Sequence, residues 1–132
     1  MAAKLVFIDT NILMELFFRR SKYDLAITGL TAISEEDIVC TSILSLTTLL
    51  YYVEAEKFDK KTAHNFVKGF RVLDMNETDY RWAEANDQGD FEDALQVACA
   101  RRHDCSYLFT LDKKLGKMYG KYLSVHTITK KS

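Results

Sequence analysis

Four aspartates, Asp9, Asp90, Asp93 and Asp112, are the residues whose type and spacing could do chemistry. Asp90 and Asp93 are one helical turn apart and so share a face. Asp9 follows the apolar run Leu5-Val6-Phe7-Ile8, and Asp112 follows Tyr107-Leu108-Phe109-Thr110-Leu111. Two like charges about 4 Å apart repel by ~1 kcal/mol in water and ~4 kcal/mol at an effective dielectric of 20, so such acids gathered in one place call for a counter-ion or a proton. Oxygen donors without His or Cys beside them select Mg²⁺ or Mn²⁺ over Zn²⁺. A bound ion of that kind lowers the pKa of a water and stabilises the oxygens of an in-line displacement, which is phosphodiester hydrolysis. Each acid also has a simpler explanation. Asp90 can cap a helix with Asp93 at its third position, and Asp9 and Asp112 can cap the helices that follow them. The four acids therefore point to a site only as a set, with Asp9 the main support, since a charge directly after a fully apolar strand is hard to place unless it lines a site.

The elements that must position these acids are legible as a strand-turn-helix grammar. Leu5–Ile8, Ile38–Cys40 and Tyr107–Phe109 are short apolar runs without alternation, as in strands buried on both faces. Arg71–Asp74 and Val125–Ile128 are further strand candidates. Helices are expected after Asn11, from Ser21 to Ser34, around Leu46, Leu49, Leu50 and Val53, from Asp59 to Phe70, from Glu77 to Asp87 with Gly89 as its stop, from Asp90, and from Lys113. In the Asp90 helix Phe91, Leu95, Ala98 and Cys99 are expected to face the core. Phe17-Phe18 and Tyr51-Tyr52 place adjacent aromatics on helices, so one of each pair must sit off the main core direction; core packing is expected, with a partner groove as the alternative. Alternating strands and helices argue for an α/β fold with a mostly parallel sheet, over residues 1–132 as one domain. Ligands bind outside the carboxyl ends of such strands, where Asp9, Thr41-Ser42 and Thr110-Asp112 fall.

Composition bounds the rest. The chain has 132 residues, 48% hydrophobic and 28% charged, with a formal net charge of −1, which excludes disorder and any global positive field for nucleic acid. Pro is absent and only five Gly occur, which favours helices. Cys40, Cys99 and Cys105 suit neither a disulfide framework nor a metal clip and read as free thiols. No apolar run is long enough to cross a bilayer, and the first residues lack a secretory signal, so no membrane association and a cytoplasmic location are expected. Local basic residues are the candidates for RNA phosphate contact: Arg19, Lys113 and Lys114, with Arg20, Lys22, Lys117 and Arg101-Arg102-His103 beside them. For each the alternative is a solvated face or a charge favouring a helix C-terminus.

Three segments, Phe7-Ile8-Asp9-Thr10-Asn11-Ile12-Leu13, Asp90-Phe91-Glu92-Asp93-Ala94-Leu95 and Thr110-Leu111-Asp112, stand in the order that marks a PIN domain, and the chain resembles that family over nearly its whole length. The resemblance implies a single α/β domain. It also implies a Mg²⁺- or Mn²⁺-dependent endoribonuclease of the VapC type, the toxin of a VapBC pair, usually a homodimer and held inactive by a small antitoxin lying over its groove. Carried over by position, Asp9, Asp93 and Asp112 are the metal-binding acids, Asp90 is a further acid, and Asn11 and Thr110 are the polar supports. The departure is in Ser42-Ile43-Leu44-Ser45-Leu46-Thr47-Thr48, where many members carry a glutamate at the position of Thr48. Losing that carboxylate weakens metal affinity or leaves a one-metal site. The alternative from another class is a catalytically weakened PIN domain that binds RNA or protein. An Asp-x-Asp phosphatase is disfavoured by Asn11, which stands where its second aspartate belongs. A receiver-like phosphoacceptor lacks its paired acids.

Overall fold

The structure, a computed structural model, describes residues 3–129. These form β1 (Leu5–Ile8), α1 (Thr10–Phe18), α2 (Tyr23–Thr31), β2 (Ile38–Ser42), α3 (Ile43–Ala55), α4 (Lys60–Val67), β3 (Arg71–Leu73), α5 (Glu77–Asn86), α6 (Phe91–Arg102), β4 (Tyr107–Thr110), α7 (Lys113–Tyr119) and β5 (Val125–Thr127). All five strands are parallel, in the order β3-β2-β1-β4-β5. The α/β class with a parallel sheet is thus as expected.

The central strand explains the layers. Val6, Phe7 and Ile8 are fully buried, and successive side chains leave opposite faces of the sheet. Val6 and Ile8 join a core with Leu13, Leu49, Val53 and Val67 of α1, α3 and α4. Phe7 joins the other core, with Val97, Leu108, Leu115 and Tyr119. Helices α1 to α4 therefore cover one face and α5 to α7 the other. Neighbouring strands β1 and β4 feed helices on opposite faces, so a crevice opens outside their carboxyl ends, the topological switch point at which ligands bind in open parallel sheets.

Several boundaries differ from the sequence expectation for local reasons. Strand β2 continues through Thr41 and Ser42 because these pair with Val72 and Leu73. Helix α2 is shorter than Ser21–Ser34, since the Lys22 amide donates to Glu15 Oε1 at 2.6 Å and Ser34 turns the chain towards Asp37. Helix α4 ends at Val67 in a turn closed by Phe70 N–H to Val67 O. Asp87 is already extended after α5, and the positive φ of 123° falls at Gly89 in the following loop. Phe91 does not face the core: it is 37% exposed and packs edge-on against Tyr80, 5.8 Å between centroids. Tyr51 and Tyr52 are exposed as well, because Leu49 and Val53 fix the inward stripe of α3. Phe17 and Phe18 do pack on the first core.

The three cysteines are free and buried. Burial pushes the Cys99 thiol up to about 12, so it carries no thiolate at neutral pH. Among the described residues no helix is long and apolar enough to cross a membrane.

Candidate active site at the strand ends

Asp9 sits where β1 becomes α1. Its backbone N–H bonds the Phe109 carbonyl at 2.8 Å, which ties the end of β1 to β4, and its extended backbone (φ −66°, ψ 155°) makes it the N-cap of α1. The residue is 5% exposed. Oδ1 accepts from Thr10 N–H at 2.7 Å, and Oδ2 accepts from Thr110 Oγ1 at 2.7 Å and Asn11 Nδ2 at 3.2 Å. Three of about four acceptor positions are filled, so about one remains for an outside ligand.

Asp112 lies two residues past β4. Its backbone N–H donates to Thr110 Oγ1 at 2.9 Å, and its Oδ1 accepts from Lys114 N–H at 2.9 Å as the cap of α7. The Thr110 hydroxyl therefore links both acids, and Asn11 closes the ring by donating to Thr110 Oγ1 at 3.2 Å and accepting from Leu111 N–H at 3.3 Å. Asn11 and Thr110 thus both hydrogen-bond the Asp9 carboxylate. Asp90 caps α6, accepting from Asp93 N–H at 3.2 Å. The simple capping explanations thus hold for Asp9, Asp90 and Asp112, and they do not compete with a site: capping after the neighbouring strands β1 and β4 is what sets Asp9 and Asp112 at one edge.

Asp93 differs from these three. Among the described residues its carboxylate accepts no hydrogen bond, while burial pushes it up to about 7, helped by the charges of Asp9, Asp90, Asp112 and Glu92. Asp9 is pushed up to about 6, chiefly by burial and then by Asp112 and Glu92, against the hydrogen bonds from Thr110 and Thr10 that hold it down. Glu92 is raised by burial and by Asp90. The acids of α6 thus feel those of β1 and β4, the electrostatic signature of carboxylates short of positive charge.

Sequence reasoning did not single out Glu92, nor the buried polar group behind Asp9. Ser42, Ser45 and Gln96 are buried, and with Thr10 they form one hydrogen-bonded cluster. The available signal was Gln96 itself, one turn beyond Asp93 in a stretch of Ala, Val and Cys. Thr48 is half-buried on α3, and its hydroxyl takes part in no side-chain hydrogen bond among the described residues.

Of the basic candidates, Lys113 and Lys114 are exposed on the first turn of α7, next to Asp112. Arg19, at the end of α1, lays its guanidinium over Tyr23, 5.3 Å from the ring centroid. Lys22 lines a recess of about 420 Å³ with Asn11, Glu15, Ser21, Leu111 and Asp112. Arg20 pairs with Glu56. Arg101, Arg102 and His103 do not join the site: they lie at the far end of α6, where Arg101 covers Trp82 and the other two engage Asp74.

Among the described residues no three His, Cys, Asp or Glu side chains form a ready-made cage for an ion. The donor set still fits Mg²⁺ or Mn²⁺, because such an ion is held by one or two carboxylates and keeps several waters. The free Asp93 carboxylate, the remaining position on Asp9 and the outer oxygen of Asp112 supply oxygens of that kind.

The family model described as PIN domain matches residues 5–114. No curated protein matches the chain. Among solved structures, a chain of a toxin-antitoxin complex from Klebsiella pneumoniae superposes with a TM-score of 0.75 at 20% identity, covering 96% of this chain and 99% of that one. A chain of VapBC-1 from nontypeable Haemophilus influenzae gives 0.72 at 16% identity, covering 96% and 99%. VapC20 of Mycobacterium tuberculosis, described as a toxin that cleaves the sarcin-ricin loop, gives 0.69 at 16% identity, covering 85% and 93%. At these identities the likeness is one of fold.

Proposed function

The chain belongs to the PIN domain family, and from that premise we propose that it is a Mg²⁺- or Mn²⁺-dependent endoribonuclease, the toxin of a VapBC-type pair. What supports the reading is that Asp9 and Asp112 share the Thr110 hydroxyl at the switch point, while the charges of both help raise the Asp93 carboxyl. Asp9, Asp93 and Asp112 would hold the ion, directly or through water, with Asp90 beside them. When bound, the ion would supply the positive charge that makes water a competent nucleophile at neutral pH and stabilises the oxygens of the displacement.

The chain's own residues supply position and polarity. Thr110 and Asn11 lock the Asp9 carboxylate in one rotamer through Oδ2, so that its free position points the same way in every molecule. Asp93 keeps both oxygens available. Lys113, Lys114 and Arg19 are the cations offered to the phosphates on either side of the scissile bond, and each such contact adds salt-dependent affinity without sequence preference. Hydrolysis adds water across a P–O bond and leaves one phosphomonoester and one hydroxyl.

A small antitoxin is the partner this reading assigns, supported by the toxin-antitoxin complexes among the structural neighbours, and a homodimer is the assembly it carries with it. Thr48 favours one second reading, a weakened PIN domain that binds RNA or protein, because the side chain there brings no carboxylate. Cleavage of a mixed structured RNA pool separates the two. Purified protein with Mn²⁺ or Mg²⁺ is compared with EDTA and with Asp93→Asn. Metal-dependent cleavage lost in the variant supports the nuclease, and a folded wild type inert with both ions supports the binding module.

A further inference from the structure

Gln96 is 1% exposed, in a helix whose buried residues around it are Ala94, Val97, Ala98, Cys99 and Ala100. An amide there is costly unless its hydrogen-bonding groups are matched, and here they are. Oε1 accepts from Ser42 Oγ at 2.6 Å, and Nε2 donates to Thr10 Oγ1 at 2.7 Å and to Ser45 Oγ at 2.6 Å. Thr10 and Ser45 share a hydrogen bond at 2.6 Å, and Ser42 Oγ accepts from Ser45 N–H at 3.0 Å. A single carboxamide on α6 therefore ties the first turn of α1 to the junction of β2 and α3.

Each tie leads to a site acid. Thr10, held through its hydroxyl by Gln96, donates its backbone N–H to Asp9 Oδ1 at 2.7 Å. Gln96 follows Asp93 by three residues, one turn along the same helix face. The path from Asp93 through Gln96 and Thr10 to Asp9 passes through two short hydrogen bonds, each of 2.7 Å. Ser45 places the third corner of the cluster on α3, one turn before Thr48. We infer that Gln96 is a positioning residue of this site, whose carboxamide fixes the separation of the Asp9 and Asp93 carboxylates by pinning α6 to the first turn of α1. On α3 a neutral hydroxyl does the holding where no carboxylate is present. The inference rests on the cation-dependent reading of the site.

The test compares Gln96→Met, which keeps the volume and removes the hydrogen bonds, with Thr10→Val and Thr10→Ser, which remove and keep the hydroxyl. Mn²⁺ affinity is measured by calorimetry, kcat and KM on RNA, and stability by urea unfolding. Losing a hydrogen-bonded support of a metal ligand costs roughly 10- to 100-fold in affinity or activity. We expect that loss in Mn²⁺ affinity and in kcat for Gln96→Met and Thr10→Val, an unchanged KM, and recovery of both in Thr10→Ser. A folded Gln96→Met with wild-type Mn²⁺ affinity and kcat, shifted only in its urea midpoint, would overturn the inference and leave the nuclease reading intact. Should Gln96→Met fail to fold, equal Mn²⁺ affinity in Thr10→Val and Thr10→Ser would overturn it. A wild type that binds no Mn²⁺ would overturn both.

Discussion

Replacing Asp93 by Asn is expected to stabilise the metal-free protein at pH 8. The carboxyl is pushed from 3.8 to about 7, and at about 1.4 kcal/mol per pH unit full linkage would amount to ~4 kcal/mol. The side chain is only half-buried, and solvent screening halves the figure to about 2 kcal/mol. A carboxyl raised in the folded state contributes stability that is complete below the unfolded value of 3.8 and lost as the pH rises through about 7. The wild type in EDTA should therefore lose about 2 kcal/mol through this group between about pH 4 and pH 8. Asn has no charge to lose and breaks no hydrogen bond, since the Asp93 carboxylate accepts none among the described residues. It forfeits only the favourable dipole interaction of an acid at the third helical position, ~0.3 to 1 kcal/mol. The net expectation is a variant about 1 to 2 kcal/mol more stable at pH 8 and equal or slightly weaker at pH 4. Urea unfolding at both pH values, with unchanged m, measures this directly. A variant less stable than wild type at pH 8, or one with the same pH slope, would refute the electrostatic reading. Saturating Mn²⁺ should reverse the order, because ligand at 100 times its Kd stabilises the wild type by about 2.7 kcal/mol.

Three other outcomes follow from the same geometry. Thr110→Val removes the donor to Asp9 Oδ2 and leaves the Asp112 N–H unpaired, so urea unfolding should register a loss of about 1 to 3 kcal/mol, with Asp9 pushed further up and Mn²⁺ bound more weakly by calorimetry. Thr48→Glu should tighten Mn²⁺ binding roughly tenfold by adding a carboxylate to the site; an unchanged affinity would mean that this side chain faces away from the acids. Far from the site, Arg102→Met strips the two-pronged partner, at 2.9 and 3.1 Å, from the buried Asp79, and thermal unfolding should show a cost of about 3 kcal/mol with Mn²⁺ affinity intact.

The strands and the capping positions of Asp9, Asp90 and Asp112 were legible in the sequence because each carries a local signal. Leu5–Ile8 lacks alternation because both of its faces are covered, and an aspartate after such a run marks a strand end, as a cap or as a group lining a site. Bounds slipped by one to three residues where tertiary partners decide, as when β3 draws Thr41 and Ser42 into β2. On α6 Leu95, Ala98 and Cys99 do face the core, and only Phe91 was misread, for a deeper reason. Lying between the sheet and α5, the helix is buried on most sides from Ala94 to Ala100, so its sequence has little amphipathic contrast. Phe91 then looks like core although it lies exposed against Tyr80, and Gln96 looks like surface although three hydroxyls from α1, β2 and α3 receive it. Those contacts span 51 to 86 residues in the chain and leave no periodic trace.

The central claim is that the acids of β1, α6 and β4 form one divalent-cation site. It is tested most directly by anomalous scattering from crystals of the wild type soaked in Mn²⁺. The account predicts one anomalous peak within coordinating distance of at least one of Asp9, Asp93 and Asp112 and bridged to the others by water, absent in crystals of Asp93→Asn. A protein that cleaves RNA in Mn²⁺ while its only peak lies elsewhere would contradict it.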